Sequence, residues 1–222
     1  MRLRVVLFDL NGTLLDPAVM AEPIGGGDDG RAMVAQALDD ANMGAATLTL
    51  GGSYVPFADL LRSALARRLQ VAGRDPAGAA DALEAMGRMP PFPDAIAALD
   101  RLAAAGLRCA VLTQSATERA EAVLAQAGVR ERLAFVLGTD RVGAFKPDPR
   151  LYRAALAEAG VSGPDEACLV SAHGWDVAGA KLAGLRTGWV ARRDRVLPAW
   201  VPEPDVRAAD LAGAADGILA LA

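Results

Sequence analysis

A chain of 222 residues has room for one large domain, or for a medium one that carries a smaller insertion. With 53% hydrophobic but only 5% aromatic residues, its core must be built mostly from Ala, Leu and Val, which favours helices packed on a sheet over an aromatic-rich β-sandwich. A formal charge of −4 without any block of clustered Lys and Arg argues against a nucleic-acid surface, and Arg67-Arg68 and Arg192-Arg193 read as isolated, solvated pairs.

The first predicted element is a strand over Val5 to Phe8, four apolar residues without polar interruption, as suits a strand covered on both faces. Asn11-Gly12 supplies the turn that ends it and leaves Asp9 at the strand's carboxyl end, the edge where ligands bind in open α/β sheets. An Asp there is either a cap for the turn or part of a site. The run is broken by Asp9 before it reaches signal-peptide length and no stretch approaches a membrane span, so the expectation is a cytoplasmic protein with no membrane partner.

Leu14 to Ile24 reads as a loop, and Gly25 to Gly30 as a flexible link. Apolar residues then recur at helical spacing from Arg31 to about Leu50 and from Phe57 to Leu69, and a third helix runs from Pro76 to Gly87. The proline cluster Met89 to Pro93 marks a hinge. Beyond it helices and short apolar strands alternate. The helices are Asp94 to Ala105, Thr117 to Ala127, Pro149 to Ala159, Asp176 to Ala183 and, last, Val206 to Leu221. The strands are Arg108 to Thr113, Leu133 to Leu137, Ala167 to Ser171 and Thr187 to Val190. Cys109 and Cys168 lie inside strand-like runs and read as buried thiols rather than a disulfide or metal cluster. The expected fold class is α/β: a Rossmann-like parallel sheet core from residues 1–16 and 90–222, with a helical cap of residues 17–89 inserted after the first strand.

Polar clusters follow the other predicted strands: Thr113-Gln114-Ser115, the stretch Gly138 to Lys146, and Ser171 to Asp176. Taken singly, Thr113 and Ser171 suit helix caps, Lys146 a solvated loop and Asp176 the first turn of a helix. Taken together, a hydroxyl, a lysine and two carboxylates on one sheet edge point to a site.

In these stretches the chain resembles the haloacid dehalogenase superfamily. Phe8 to Leu14 is similar to its first motif, Leu112-Thr113 to its second, Lys146 to Pro149 with Tyr152 to its third, and Ser171 to Gly184 to its fourth. The resemblance implies a nucleophilic Asp9, with Thr113 and Lys146 binding and orienting the reacting group. The superfamily's phosphatases have a second Asp two residues after the nucleophile, where this chain has Asn11, and an amide cannot protonate a leaving alkoxide. They also place a Gly-Asp pair shortly before the last motif's Asp, where this chain has Ser171-Ala172. The two carboxylates left, Asp9 and Asp176, are thin for a magnesium site.

The branch lacking both features is the L-2-haloacid dehalogenases, which Lys146-Pro-Asp-Pro with Tyr152, and Ser171, Trp175-Asp176 and Gly179-Ala180-Lys181, also resemble. That resemblance implies metal-independent displacement of halide from a small 2-halo carboxylic acid through an ester on Asp9, with no cofactor. It implies Lys146 as the group that keeps Asp9 ionised, and Asp176 as the residue that activates water. Thr13, Thr113 and Ser171 would bond the substrate carboxylate or Asp9, with Leu10, Asn11 and Gln114 alongside in the substrate site.

His173, the single histidine, falls between Ser171 and Asp176 and is read as orienting the water or serving as its base. Trp175 and Phe145 read as core before pocket wall. Asn11, Thr113-Gln114 and His173 depart from that branch's residues, and the arginine with which its cap holds the halide has no counterpart in Met33 to Met43. Arg31 and Arg62 lie near that region but match no motif. A homodimer through the cap is implied by the resemblance alone. The alternatives are a phosphatase with a degenerate magnesium site and a catalytically silent binding protein.

Overall fold

The structure, a computed structural model, describes residues 3–221, so the outermost ends of the expected 1–16 and 90–222 segments lie outside the described residues. Its centre is a six-stranded, all-parallel sheet in the order β3-β2-β1-β4-β5-β6. The strands are β1 (Val5–Phe8), β2 (Arg108–Leu112), β3 (Val136–Leu137), β4 (Ala167–Ser171), β5 (Arg186–Val190) and β6 (Val206–Ala208). β1 is flanked by β2 and β4, in register from Val5 against Arg108 and Ala167 to Phe8 against Val111 and Val170. All four of its residues are buried because each face is covered. Val6 and Phe8 join one apolar core, Val5 and Leu7 the other.

The first core is closed by α4 (Ala95–Ala104), α5 (Thr117–Gln126) and α8 (Leu211–Leu221), the second by α6 (Pro149–Ala159) and α7 (Gly174–Leu182). Sequential strands run outward from β1 on one side and then return to β4 on the other. The chain reverses its winding between β1 and β4, and in such sheets this is where the strand ends open a crevice.

Between β1 and α4 the chain forms a 3₁₀ turn (Pro17–Ile24) and three helices, α1 (Gly27–Leu50), α2 (Phe57–Val71) and α3 (Gly78–Met86). The two strands of chain leading into and out of this segment run side by side, Asp16 N donating to Pro90 O and Phe92 N to Leu14 O, both at 2.9 Å. Arg192 ties the pair down. It donates to Thr13 O at 2.7 Å and to Asp94 at 2.6 Å, and its guanidinium lies 3.9 Å over the Phe92 ring.

Several expectations are corrected. Pro17 to Ile24 is not an open loop, since Asp16 caps it by accepting from Ala18 N and Gly25 closes it at φ 96°. The glycine stretch is not a link either: α1 begins inside it, with Asp28 and Asp29 in its first turn, and Gly30 lets the helix approach Ala21. The last expected helix divides into β6 and α8, because Asp210 accepts from Gly213 N and starts a new helix there. β3, at Val136–Leu137, is shorter than the expected Leu133 to Leu137.

Arg192-Arg193 is not a solvated pair. Arg192 clamps the hinge, and Arg193 reaches Ala35 O and Asp39 on α1. Cys109 and Cys168 are free and buried, and burial pushes both thiols up to about 12. Among the described residues no helix is long and apolar enough to cross a membrane.

Candidate active site

The carboxyl end of β1 delivers Asp9 into the crevice, its main-chain N–H held by Val170 O at 3.0 Å. Gly12, at φ 82°, turns the chain sharply enough to bring Thr13 back over the strand end, where its hydroxyl donates to Asp9 Oδ2 at 2.8 Å. The same hydroxyl accepts from Ala172 N at 3.0 Å and so joins the ends of β1 and β4. The other oxygen, Oδ1, accepts from Lys146 Nζ at 2.8 Å.

Lys146 is the centre of the charge arrangement. Its ammonium spends its N–H groups on Asp9 Oδ1, Asp176 Oδ2 at 2.6 Å and Leu112 O at 3.0 Å, and the side chain is wholly buried. Asp176 Oδ1 accepts from the Tyr152 hydroxyl at 2.8 Å. Gly179 makes this packing achievable: a Cβ there would stand 2.6 Å from the Tyr152 hydroxyl oxygen, so any larger residue would push Tyr152 off Asp176.

Burial by itself would raise the Asp9 pKa, but the Lys146 charge, the neighbouring His173 and hydrogen bonds from Lys146 and Thr13 together hold it below the usual carboxylate range. Burial would likewise lower Lys146, yet the two carboxylates outweigh it and keep the ammonium charged. Asp176 is pushed up, by burial first and by the like charge of Asp9, against the pull of Lys146 and Tyr152. Two buried acids on one lysine are thus set apart: one is a strong anion, the other a better proton acceptor.

Thr113 and Ser171, although at the site, turn their hydroxyls inward to their own loops, accepting from Ser115 N at 3.2 Å and His173 N at 3.1 Å. Gln114 grips the main chain of Lys146, accepting from its N–H at 2.9 Å and donating to its carbonyl at 3.0 Å, and also donates to Asn42 Oδ1 at 3.2 Å. The Leu10 side chain lies in the core, so what it has to offer a ligand is its main-chain N–H. Asn11 is 8% exposed, and its Oδ1 has no hydrogen-bond partner. His173 Nε2 lies 2.9 Å from Asn11 O and 3.5 Å from Asp9 Oδ2. A carbonyl only accepts, so Nε2 carries the hydrogen, and this nitrogen cannot be a base.

A small cavity is lined by Asn11, Gln114, His173 and Trp175 from the sheet edge and by Leu38, Asn42 and Phe57 from the helices, and it reaches Asp9 through His173. Trp175 is therefore pocket wall, stacked on His173 with ring centroids 5.6 Å apart, whereas Phe145 is core and stacks on Tyr54. Asn42 was not among the expected site residues. Its signal was a polar side chain one turn after Leu38, close to the buried face formed by Val34, Ala37, Leu38, Ala41 and Ala45.

The donor set does not suit a magnesium ion. An ammonium already sits between the two carboxylates, and each of their oxygens takes a hydrogen bond from Lys146, Thr13 or Tyr152. Among the described residues there is no group of three His, Cys, Asp or Glu side chains placed to hold a metal.

A family model described as haloacid dehalogenase-like hydrolase matches residues 3–184. The chain is 34% identical over 194 residues to the (S)-2-haloacid dehalogenase of Xanthobacter autotrophicus, an alignment covering 86% of this chain and 76% of that protein. It is also 40% identical over 150 residues to the phosphoserine phosphatase of Thermus thermophilus, covering 64% of this chain and 59% of that one. The structure of the Xanthobacter autotrophicus L-2-haloacid dehalogenase with chloropropionic acid covalently bound superposes with a TM-score of 0.89 at 26% identity, over 99% of this chain and 100% of that one.

Proposed function

The chain belongs to the haloacid dehalogenase-like hydrolases, and from that membership we propose that it is a metal-independent 2-haloacid dehalogenase acting on a small 2-halo carboxylic acid, with residues 17–89 as its cap. The observation that carries this reading is Asp9 itself. It is buried, held ionised, and fixed at both oxygens by Lys146 and Thr13, with no acid two residues on to protonate a leaving oxygen. A carboxylate so placed suits a leaving group that departs as a stable anion.

In the first step an Asp9 oxygen attacks the α-carbon from behind, the C–O bond forms as the carbon–halogen bond breaks, and halide leaves with the electron pair. In the second, water adds to the Asp9 ester carbonyl, the 2-hydroxy acid departs, and the carboxylate is restored. Attack at carbon inverts it, and hydrolysis at the carbonyl does not touch it, so the product has inverted configuration.

Lys146 orients Asp9. Asp176 accepts the water's proton, for which its raised pKa and remaining lone pairs suit it. Thr13 holds Asp9, while Thr113, Ser171 and Gln114 hold the loops that frame the pocket. A cytoplasmic location, in keeping with the two free buried thiols, and a homodimer through the cap belong to the same proposal.

The phosphatase alternative is favoured by the likeness to the Thermus thermophilus enzyme and opposed by Asn11 and by the committed carboxylates. One experiment separates them. Single turnover of 2-chloropropionate in H₂¹⁸O with EDTA should release chloride and place the heavy oxygen in Asp9 rather than in the lactate. No chloride release, with magnesium-stimulated hydrolysis of phosphoserine instead, would overturn the dehalogenase reading. An Asp9→Asn variant as active as the parent would overturn both.

A further inference from the structure

A dehalogenase site must hold two anionic groups, the substrate carboxylate and the departing halide, yet this pocket offers them little positive charge. The ammonium of Lys146 is already donating to Asp9, Asp176 and Leu112 O, and with both acids ionised the trio carries one net negative charge. The wall contributed by the helices is Leu38, Asn42 and Phe57, none of them cationic. Arg193, which reaches α1 from the loop after β5, is bound to Ala35 O and Asp39. That leaves one side chain of the cavity able to become positive, His173.

We propose that His173, as the imidazolium, is the cation that holds the small monovalent anion of the reaction in this pocket. This rests on the dehalogenase reading and assigns its anion site. The ring is well placed for it. Nε2–H is anchored on Asn11 O and faces Asp9 Oδ2, one face of the ring stacks on Trp175, and the edge packs 3.5 Å from where a Cβ of Gly12 would stand. Among the described residues Nδ1 has no hydrogen-bond partner, and the ring lines the cavity together with Asn42, Gln114, Leu38 and Phe57, so in the imidazolium that second proton is left for an anion held there.

The charged group facing the ring is Asp9; Lys146 is bonded to Asp9 and to Asp176, Asp39 and Lys146 lie with Trp175 on a neighbouring cavity, and Asp194 accepts from the main chain of the next residue, Gly174. An imidazolium so held would make anion binding depend on pH, where an arginine in the same role would not.

Because the chain has a single histidine, its imidazole proton signal is unambiguous in NMR. The signal's pH midpoint is measured in wild type with sulfate, then with bromide or acetate substituted at constant ionic strength. A midpoint raised by bromide places the halide there. One raised by acetate alone places the substrate carboxylate there. A midpoint moved by neither overturns the proposal. In turnover, kcat/KM should fall about tenfold per pH unit above the midpoint, and His173→Arg should abolish that alkaline fall while His173→Asn lowers the rate at all pH. An alkaline fall that persists in His173→Arg would also overturn it. A bromide-dependent midpoint without any dehalogenation would leave the anion site standing and remove the dehalogenase reading instead.

Discussion

The sheet edge and the helices above it form the same cavity, but they are built on opposite principles. On the sheet edge Asp9, Thr13, Lys146, Tyr152 and Asp176 are linked by short hydrogen bonds from strand end to strand end and are almost fully withdrawn from solvent. The helical side presents Leu38 and Phe57 and a single polar group, Asn42, and is joined to the sheet edge through separate contacts: Asn42 with Gln114, Thr49 with Phe145 N, Tyr54 with Thr139, Arg193 with Asp39. A network with every member satisfied is rigid and fails as a unit, while separate contacts can be exchanged one at a time. Under the proposed function, the chemistry is assigned to the rigid part and the selection of substrate to the adjustable one.

The largest effect that sharpens this contrast comes from Lys146→Met. It leaves two buried carboxylates without a counter-ion, and removing one partner of such a pair costs about 3–5 kcal/mol of stability. Activity should fall by roughly 10²–10³-fold, as for loss of a single preorganised donor. The pH dependence has a definite sign. Asp9, depressed when folded, contributes stability that is present above its unfolded value of about 4 and is lost as pH falls through the lower folded one. Lys146, raised when folded, contributes stability that is present below its unfolded value of about 10.4 and is lost as pH rises through the higher one. Denaturant titrations across pH should therefore show both limbs in wild type; Lys146→Met should lose the alkaline limb that Lys146 supplies and show a smaller acid limb, the remainder coming from Thr13 and His173 on Asp9 and from other paired carboxylates such as Asp205. Limbs of unchanged size in the variant would break the view of the edge as one charged unit.

The rigid side is also the legible side. A strand that stops at an acid, and polar clusters after each further strand, can be read from the order of residues because every one of those groups is placed by its own strand end. The charge arrangement around Asp9 needs only that the strands be parallel and adjacent. What escaped was set by partners distant in sequence. Asn42 meets Gln114 across 72 positions, and Arg192 reaches Thr13 across 179, so neither shows in any local window.

The glycine stretch differs from the expected link because Gly25 closes the preceding 3₁₀ turn and Gly30 allows close approach to Ala21. Thr113 and Ser171 could not be divided between capping and binding from sequence, since both uses place a hydroxyl at the same strand end.

A smaller effect is expected on the helical side. Asn42→Ala removes one neutral hydrogen bond, worth about 0.5–1.5 kcal/mol, from the pocket wall. If that side selects substrate, KM for a 2-halo acid should rise by roughly two- to tenfold, with thermal stability almost unchanged, as steady-state kinetics and a melting curve would show. A loss of stability on the scale of Lys146→Met would instead make Asn42 part of the rigid network.

The smallest effect belongs to Arg193, which joins the loop after β5 to α1. Its carboxylate partner Asp39 is 60% exposed, so the pair is screened by water and salt and should contribute no more than about 1 kcal/mol. Arg193→Ala also loses the bond to Ala35 O, whereas Asp39→Ala loses only the ion pair. A double-mutant cycle on these two residues isolates the ionic part, and repeating it at high salt should bring that part close to zero, since the Debye length shrinks to about 3 Å at 1 M. A coupling that survives high salt would mean that this contact is shielded from solvent as the sheet-edge pairs are, and the helices would then be held over Asp9 by something firmer than exchangeable contacts.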